Sequence, residues 1–271
     1  MSTSVLQSCS HFLSSPTEKI ALIHQKRSTR IPITALTAYS YPWARLLDQC
    51  ELDLILVGDS LGMVEHGRPN TVTVTLEEML YHTRSVRPAV KNALLVADLP
   101  YGTYESPHDA LQNASQLIHA GADAVKLEGG SEIAPQIQTL IKNEIPVLGH
   151  LGMLPQRILQ EGRYRIKGRT PEERSQLVSD ANLLQNLGVF AIVLELVTPE
   201  LADEITKALS IPTIGIGSGP NCAGQILVTY DLLGFTPWFC PSFVTPKANL
   251  AETIQQVVKN FVSETKSYSY L

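Results

Sequence analysis

Short apolar runs rich in β-branched residues alternate along the chain with longer segments in which apolar residues recur at helical spacing. The runs cover residues 31–39, 52–57, 93–99, 124–127, 146–151, 190–197 and 211–216, with a weaker eighth at 226–229. Between them the spacing predicts helices over 42–49, 76–90, 107–120, 132–143, 171–187 and 199–209. A last helix is expected over 250–262, behind an irregular Pro-rich connection at 237–246. Pro107, Pro171 and Pro199 fall in first helical turns, where a missing N–H costs nothing. Gly121 and Gly188 stand just past two expected ends, where a left-handed cap favours glycine.

Eight strands in a βα alternation predict an α/β fold, a (β/α)8 TIM barrel of the usual size of about 250 residues. Residues 28–271 then form a single barrel domain with its C-terminal helix, and residues 1–27 an N-terminal extension. An open doubly wound sheet is the competing arrangement. Against it, the Gly-rich segment 215–219 does not match GxGxxG in a first βα unit but follows the seventh strand. In a barrel that position suits either anion binding or a tight strand-to-helix turn.

With 44% hydrophobic and 17% charged residues, the chain carries enough apolar surface for a sizeable core without disulfides. Its net charge is −5 with no basic run, which argues against nucleic acid as a partner. No apolar run approaches the roughly 18 residues of a membrane span, and no secretory signal pattern opens the chain. Residues 1–17 are Ser-rich and free of acids, as in transit sequences, but the first Arg is Arg27, so a short disordered or helical extension is the preferred reading. Cys9, Cys50, Cys222 and Cys240 show no metal-type spacing and read as reduced thiols in a cytoplasmic protein. Cys50, beside an apolar helical pattern, is expected in the core.

A barrel gathers its chemistry where the C-terminal ends of its strands face one mouth. There the chain places Asp59, Asp98, Glu128 and Glu195 at the ends of strands two, three, four and six, with Lys126 in strand four and His150 ending strand five. Any one of these acids reads equally well as a helix N-cap. Together they crowd negative charge into one mouth, which is costly without a compensating cation. Asp59, Asp98 and Glu128 offer oxygen ligands with no His–Cys cluster beside them, which suits magnesium better than zinc. Lys126 and Glu128, two apart on a strand, point the same way; a salt bridge between them and a Schiff-base lysine are both open. Glu195 interrupts the apolar run 190–197, where desolvation raises proton affinity and suits a general base; pairing with Lys126 or a loop Arg is the alternative. His82 lies inside a helical pattern and reads as structural, whereas His150 is placed to touch substrate.

Several strings occur in an order that resembles the ketopantoate hydroxymethyltransferases, from about residue 31 to residue 234. They are Leu56-Val57-Gly58-Asp59-Ser60-Leu61-Gly62-Met63, Tyr81-His82-Thr83, Ala97-Asp98-Leu99-Pro100, Val125-Lys126-Leu127-Glu128-Gly129-Gly130, Gly149-His150-Leu151-Gly152 and Ile214-Gly215-Ile216-Gly217. The resemblance implies a barrel of the phosphoenolpyruvate/pyruvate superfamily that uses Mg2+ and carries a hydroxymethyl group from 5,10-methylenetetrahydrofolate to 3-methyl-2-oxobutanoate. The product would be 2-dehydropantoate, formed through a metal-stabilised enolate in pantothenate biosynthesis. It further implies Asp59, Asp98 and Glu128 around the metal, Asp59, Ser60, Asp98 and Lys126 on the oxo acid, Glu195 as base, and a cytoplasmic homo-oligomer, possibly a decamer.

The chain departs from the family pattern at Ser40, Arg68-Pro69-Asn70, Arg163, Leu196, Thr198, Ala223 and Tyr230. These departures leave the metal and base positions intact and bear on folate contacts and loop closure. Two rival readings stand beside this one: an enzyme of the same superfamily acting on a different 2-oxo acid, and a non-catalytic barrel that binds a metabolite.

Overall fold

Eight parallel strands pair in chain order, and the last pairs with the first to close the barrel. The computed structural model describes residues 15–238 and 240–268. The strands are β1 (Ile33–Thr37), β2 (Leu54–Val57), β3 (Leu94–Asp98), β4 (Ala124–Glu128), β5 (Val147–Gly152), β6 (Ala191–Glu195), β7 (Thr213–Ile216) and β8 (Gly224–Leu227). The helices are α1 (Pro16–Thr29), α2 (Tyr41–Asp48), α3 (Leu61–Val64), α4 (Leu76–Val86), α5 (Pro107–His119), α6 (Ala134–Lys142), α7 (Ile158–Glu161), α8 (Pro171–Leu187), α9 (Pro199–Ala208), α10 (Thr229–Leu233) and α11 (Leu250–Lys266). The expected TIM barrel is therefore the observed fold.

Every residue of β2, β3 and β4 is buried, as parallel strands covered on both faces require. Two apolar layers follow from the alternation of side chains. Leu54, Leu56, Leu94, Val96, Leu148, Val193 and Ile214 fill the barrel interior, while Ile55, Val57, Leu95, Val125, Ile192 and Leu194 face the helices. Ser106 and Thr170 cap α5 and α8, and each of these helices begins with the expected Pro.

Helix α1 closes the N-terminal end of the barrel. Ile23, 2% exposed, joins the interior layer, and Lys19 Nζ donates to Ala93 O at 2.8 Å and pairs with Asp123. Arg27 donates to Thr206 O at 2.6 Å, so the helix is fastened to opposite sides of the ring. The boundary expected between residues 27 and 28 falls inside this helix. Cys9 and most of the Ser-rich start lie outside the described residues.

Several local expectations shift. The eighth strand spans Gly224–Leu227 instead of 226–229, because Thr229 opens α10 and its hydroxyl is drawn onto Thr37 O at 2.5 Å. Helix α4 stops at Val86, before Pro88, which has no N–H to continue the ladder. The Gly-rich segment does not lead into a helix: residues 217–223 run directly into β8, with Gly217 in the left-handed region at φ 62°. Cys50 is exposed, contrary to the expected core position, because α2 ends at Asp48 and the chain turns outward. No helix among the described residues is long and apolar enough to cross a membrane.

Candidate active site

The strand register sets the polar residues side by side. Asp98 on β3 pairs with Lys126 on β4, Glu128 on β4 with His150 on β5, and Gly152 on β5 with Glu195 on β6. Since every second side chain points inward, Lys126, Glu128, His150 and Glu195 all face the barrel axis at its C-terminal end. Asp59 and Ser60 follow β2 and complete the floor. All six proposed site residues, Asp59, Ser60, Asp98, Lys126, Glu128 and Glu195, line one cavity of about 810 Å³, together with His150.

Hydrogen bonds tie this floor together. Lys126 Nζ donates to Asp98 Oδ1 at 2.6 Å and lies 3.9 Å from Glu128 Oε1, so the ion pair with Glu128 left open by the sequence is present but looser than the one with Asp98. The Asp59 N–H donates to Asp98 Oδ2 at 3.0 Å. Ser60 Oγ lies 2.9 Å from the Tyr39 hydroxyl, and His82 Nδ1 lies 2.6 Å from Tyr39 O, a structural place for this histidine as expected. Gln156, 3% exposed, donates through Nε2 to Asp59 Oδ2 and through its backbone N–H to Glu128 Oε2.

The charges shift one another. Burial and the neighbouring Asp98 and Glu128 carboxylates push the Asp59 carboxyl well above the usual range. Burial alone would lower Lys126, but the fields of Asp98, Glu128 and Asp59 outweigh it and hold the ammonium above the ordinary lysine value. A cation held this firmly is a poor Schiff-base nucleophile. Burial would also raise Glu128, yet His150, Lys126 and the Gln156 N–H together keep it below its ordinary value. Among the described residues no group of three His, Cys, Asp or Glu side chains is arranged to hold a metal by itself.

Glu195 stands apart from the other three carboxylates. Asp59, Asp98 and Glu128 each accept aligned hydrogen bonds, whereas among the described residues the Glu195 carboxylate meets only His150 Nε2, at 3.3 Å. His150 Nδ1 lies 3.4 Å from Glu128 Oε1, so the ring sits between two carboxylates, with neither nitrogen aligned for a hydrogen bond. The partner anticipated for Glu195 as an alternative, Lys126 or a loop Arg, is replaced by this histidine.

The backbone around Glu195 is tightly specified. Gly152, at φ 99°, lets β5 come so close that a Cβ there would collide with Glu195 O, and Met153 N–H donates to that same oxygen at 2.8 Å. The next residue, Leu196, takes a left-handed φ of 49°, which costs about 1–2 kcal/mol for a residue with a Cβ. Its N–H reaches Ile216 O, its carbonyl takes Lys167 N–H, and Val197 N–H donates to the buried hydroxyl of Ser218. Gln156 and Ser218 went unrecognised in the sequence. Both are neutral residues, Gln156 in a single 3-10 turn over Pro155–Arg157 and Ser218 in a loop, and only their burial reveals them.

The upper wall belongs to the segment from Gly162 to Arg169, which supplies Arg163, Tyr164, Arg165, Ile166 and Arg169, and to the stretch after α10 that carries Phe243. Tyr230, one of the departures from the family pattern, points its hydroxyl to Glu65 Oε1 at 2.5 Å and packs edge-on against Tyr39. Arg163 and Leu196 line the cavity, while Ser40 and Thr198 only precede helices α2 and α9.

The chain is similar to known proteins along most of its length. The ketopantoate hydroxymethyltransferase family matches residues 18–270. A 3-methyl-2-oxobutanoate hydroxymethyltransferase of Pyrobaculum aerophilum is 52% identical over 237 residues, covering 87% of this chain and 90% of the relative. Its counterpart in Clostridioides difficile (strain 630) is 46% identical over 240 residues, 88% of this chain and 87% of the relative. Among solved structures, a phosphonopyruvate hydrolase in complex with oxalate and Mg++ shares the fold with a TM-score of 0.59 at 13% identity, covering 92% of this chain and 99% of that one. A 2,3-dimethylmalate lyase of the PEP mutase/isocitrate lyase superfamily does so with a TM-score of 0.60 at 12% identity, covering 92% and 85%. Likeness at such identities shows the fold, whereas identities near half over most of both chains show the family. The chain belongs to the ketopantoate hydroxymethyltransferase family and is a hydroxymethyl-transferring enzyme.

Proposed function

We propose that the protein forms 2-dehydropantoate from 3-methyl-2-oxobutanoate and 5,10-methylenetetrahydrofolate, with Glu195 as the base, in pantothenate biosynthesis. The observation that carries this reading is the contrast inside one cavity: three carboxylates engaged in hydrogen bonds and one, Glu195, left to accept a proton.

The donor set fits magnesium, which binds through one or two carboxylates plus substrate oxygens and keeps its remaining waters. Asp59 has one carboxylate oxygen outside the Gln156 bond, Asp98 lies within a hydrogen bond of the Asp59 backbone, and Glu128 stands behind them. Asp59 and Asp98 would hold the ion, with Glu128 in its outer surroundings. The carboxylates' excess of negative charge over Lys126 is the electrostatic reason a divalent cation would be welcome here. When bound, the ion supplies Lewis-acid polarisation of the 2-oxo group. The metal-bound, oxalate-containing neighbour on the same barrel supports the assignment by analogy of fold.

The side chains then divide the work. Lys126, fixed by Asp98, adds positive charge where the oxo-acid oxygens become more negative in the transition state. Ser60, backed by the Tyr39 hydroxyl, orients the substrate carboxylate. Glu195 removes the C3 proton, the resulting enolate carbon attacks the methylene carbon of the donor as one C–N bond breaks and that nitrogen takes up a proton, and water then displaces the second nitrogen, supplying the hydroxyl and releasing tetrahydrofolate. His150 keeps the Glu195 carboxylate at its station between β5 and β6.

A homo-oligomer in the cytoplasm completes the proposal. Helix α11 leaves Ile254, Val257, Val258, Phe261 and Val262 exposed at 40–66%, an apolar face of the kind that marks an association surface. The decisive experiment is turnover of purified protein with the two substrates. Formation of 2-dehydropantoate supports the reading, and a different product from another 2-oxo acid, or none, refutes it.

A further inference from the structure

The step that Glu195 starts has two possible ends. Once the C3–H bond breaks, the proton sits on the Glu195 carboxyl. If water reaches that carboxyl, the proton exchanges with solvent and returns to C3, and the oxo acid is recovered with a new hydrogen and nothing else changed. If water is kept out, the enolate lasts until its carbon forms the new C–C bond. Exclusion of water at this one group therefore decides between an idle cycle and product. Glu195 is also the most open of the charged floor residues: its side chain is 13% exposed, against 2% for Glu128 and His150 and 3% for Asp98.

A cover for it must come from above, and the strap of residues 162–169 carries one. The far half of the strap is fixed to the turn that follows Glu195. Lys167 N–H donates to Leu196 O at 2.7 Å, Thr198 N–H donates to Lys167 O at 3.0 Å, and the Glu173 carboxylate accepts from the N–H groups of Gly168 and Arg169. The near half is loose. Gly162 ends α7 at φ 72°, with open space where a Cβ would stand. Between Gly162 and Arg165 the one side-chain hydrogen bond among the described residues is that of the Tyr164 hydroxyl with Met63 Sδ, at 3.9 Å, and a thioether is a weak acceptor.

Met63 belongs to α3, beyond Asp59 and Ser60, so the Tyr164 ring reaches across the mouth from the β5–β6 side to the β2 side. Its hydroxyl feels the floor beneath it: burial, then the carboxylates of Glu195, Asp59 and Glu128, raise it above the ordinary tyrosine value. Phe243, the other phenyl ring of the cavity wall, lies against Gly217 on a different side of the mouth.

We infer that Tyr164 is the shielding residue of the reaction: swinging on Gly162, its ring closes over Glu195 and the oxo acid and commits the enolate to the one-carbon donor instead of solvent. The inference rests on the enolate reaction proposed above and deepens it. The ring does the covering and the hydroxyl is only a latch, so phenylalanine should replace this residue and alanine should not.

The test uses 3-methyl-2-oxobutanoate deuterated at C3, with saturating magnesium and methylenetetrahydrofolate in ordinary water. NMR at partial conversion gives the deuterium lost from the recovered oxo acid and the 2-dehydropantoate formed. Tyr164→Ala should raise the washout per product by about tenfold or more, the change in closed-to-open ratio expected when the burial of one aromatic ring is lost. Tyr164→Phe should keep the ratio close to that of the parent. Tyr164 is 39% exposed, so both variants should fold, which circular dichroism and melting check. An unchanged ratio in Tyr164→Ala overturns the inference. A ratio in Tyr164→Phe as high as in Tyr164→Ala overturns it too, because the hydroxyl and not the ring would then be the working part. Loss of washout and product together, in a folded Tyr164→Ala that still binds the oxo acid, would place Tyr164 in proton removal and refute a shielding role. A parent that washes out label yet forms no product refutes the folate reaction itself, and this inference falls with it while the role of Glu195 stands.

Discussion

Gln156 Nε2 donates to Asp59 Oδ2 at 2.9 Å while the backbone N–H of the same residue donates to Glu128 Oε2 at 3.0 Å. One neutral residue, through its side chain and its backbone, thereby bridges two carboxylates, one just after β2 and the other at the end of β4. It is held in turn by Tyr104, whose hydroxyl donates to Gln156 Oε1 at 2.5 Å. Gln156→Leu keeps the bulk but removes the donor to Asp59. We expect it to weaken magnesium affinity by about tenfold or more, in line with loss of a hydrogen bond to a charged group. Titration of metal into the variant checks this: lower thermal stability with unchanged affinity would make Gln156 a purely structural residue.

Asp98 sits under both Lys126 and Asp59 and is assigned to the ion and to the oxo acid at once. Asp98→Ala should therefore weaken both ligands together, and removal of the divalent cation from the unaltered protein should abolish turnover. Independent titrations of the two ligands and an assay in excess chelator measure this. Activity that survives chelation would contradict the metal assignment and return Lys126 to consideration as a Schiff-base nucleophile.

Helix α1 is expected to contribute to stability because Ile23 fills the closed end of the barrel. Ile23→Ala should cost about 2–5 kcal/mol, the transfer term plus the cavity it leaves. Denaturant unfolding measures the loss. A change under about 1 kcal/mol, the range of surface substitutions and mild swaps, would mean that the helix rests on the barrel without belonging to its core.

Much of this architecture was legible in the chain because parallel strands buried on both faces leave continuous apolar runs, and the runs end at Asp98, Glu128 and Glu195 where they meet the mouth. The acids were legible for the same reason: a charge is conspicuous against Val, Leu and Ile. Helix α1 was not, since only Lys19 and Ile23 are buried and no apolar stripe marks it. The His150–Glu195 contact was hidden because it depends on register, Gly152 standing opposite Glu195 with His150 two residues back. Gln156 and Ser218 carry no charge and lie in a short 3-10 turn and a loop, so nothing local distinguishes them from solvated polar residues. Asp231 lies two residues past the end expected for the eighth strand, in the middle of a short helix, and its unpaired oxygen emerges only from packing.

The role of Glu195 is the centre of the mechanism, and it is separable from every folate question. With magnesium and 3-methyl-2-oxobutanoate both saturating and no folate present, the protein should exchange the C3 hydrogen with heavy water. Glu195→Gln preserves size and much of the hydrogen-bonding capacity but cannot accept a proton at that position. NMR of the C3 signal in deuterated buffer follows the exchange directly. The predicted result is loss of exchange in Glu195→Gln while the oxo acid still binds; exchange at the unaltered rate in that variant would contradict the base assignment and leave His150 as the group to test next.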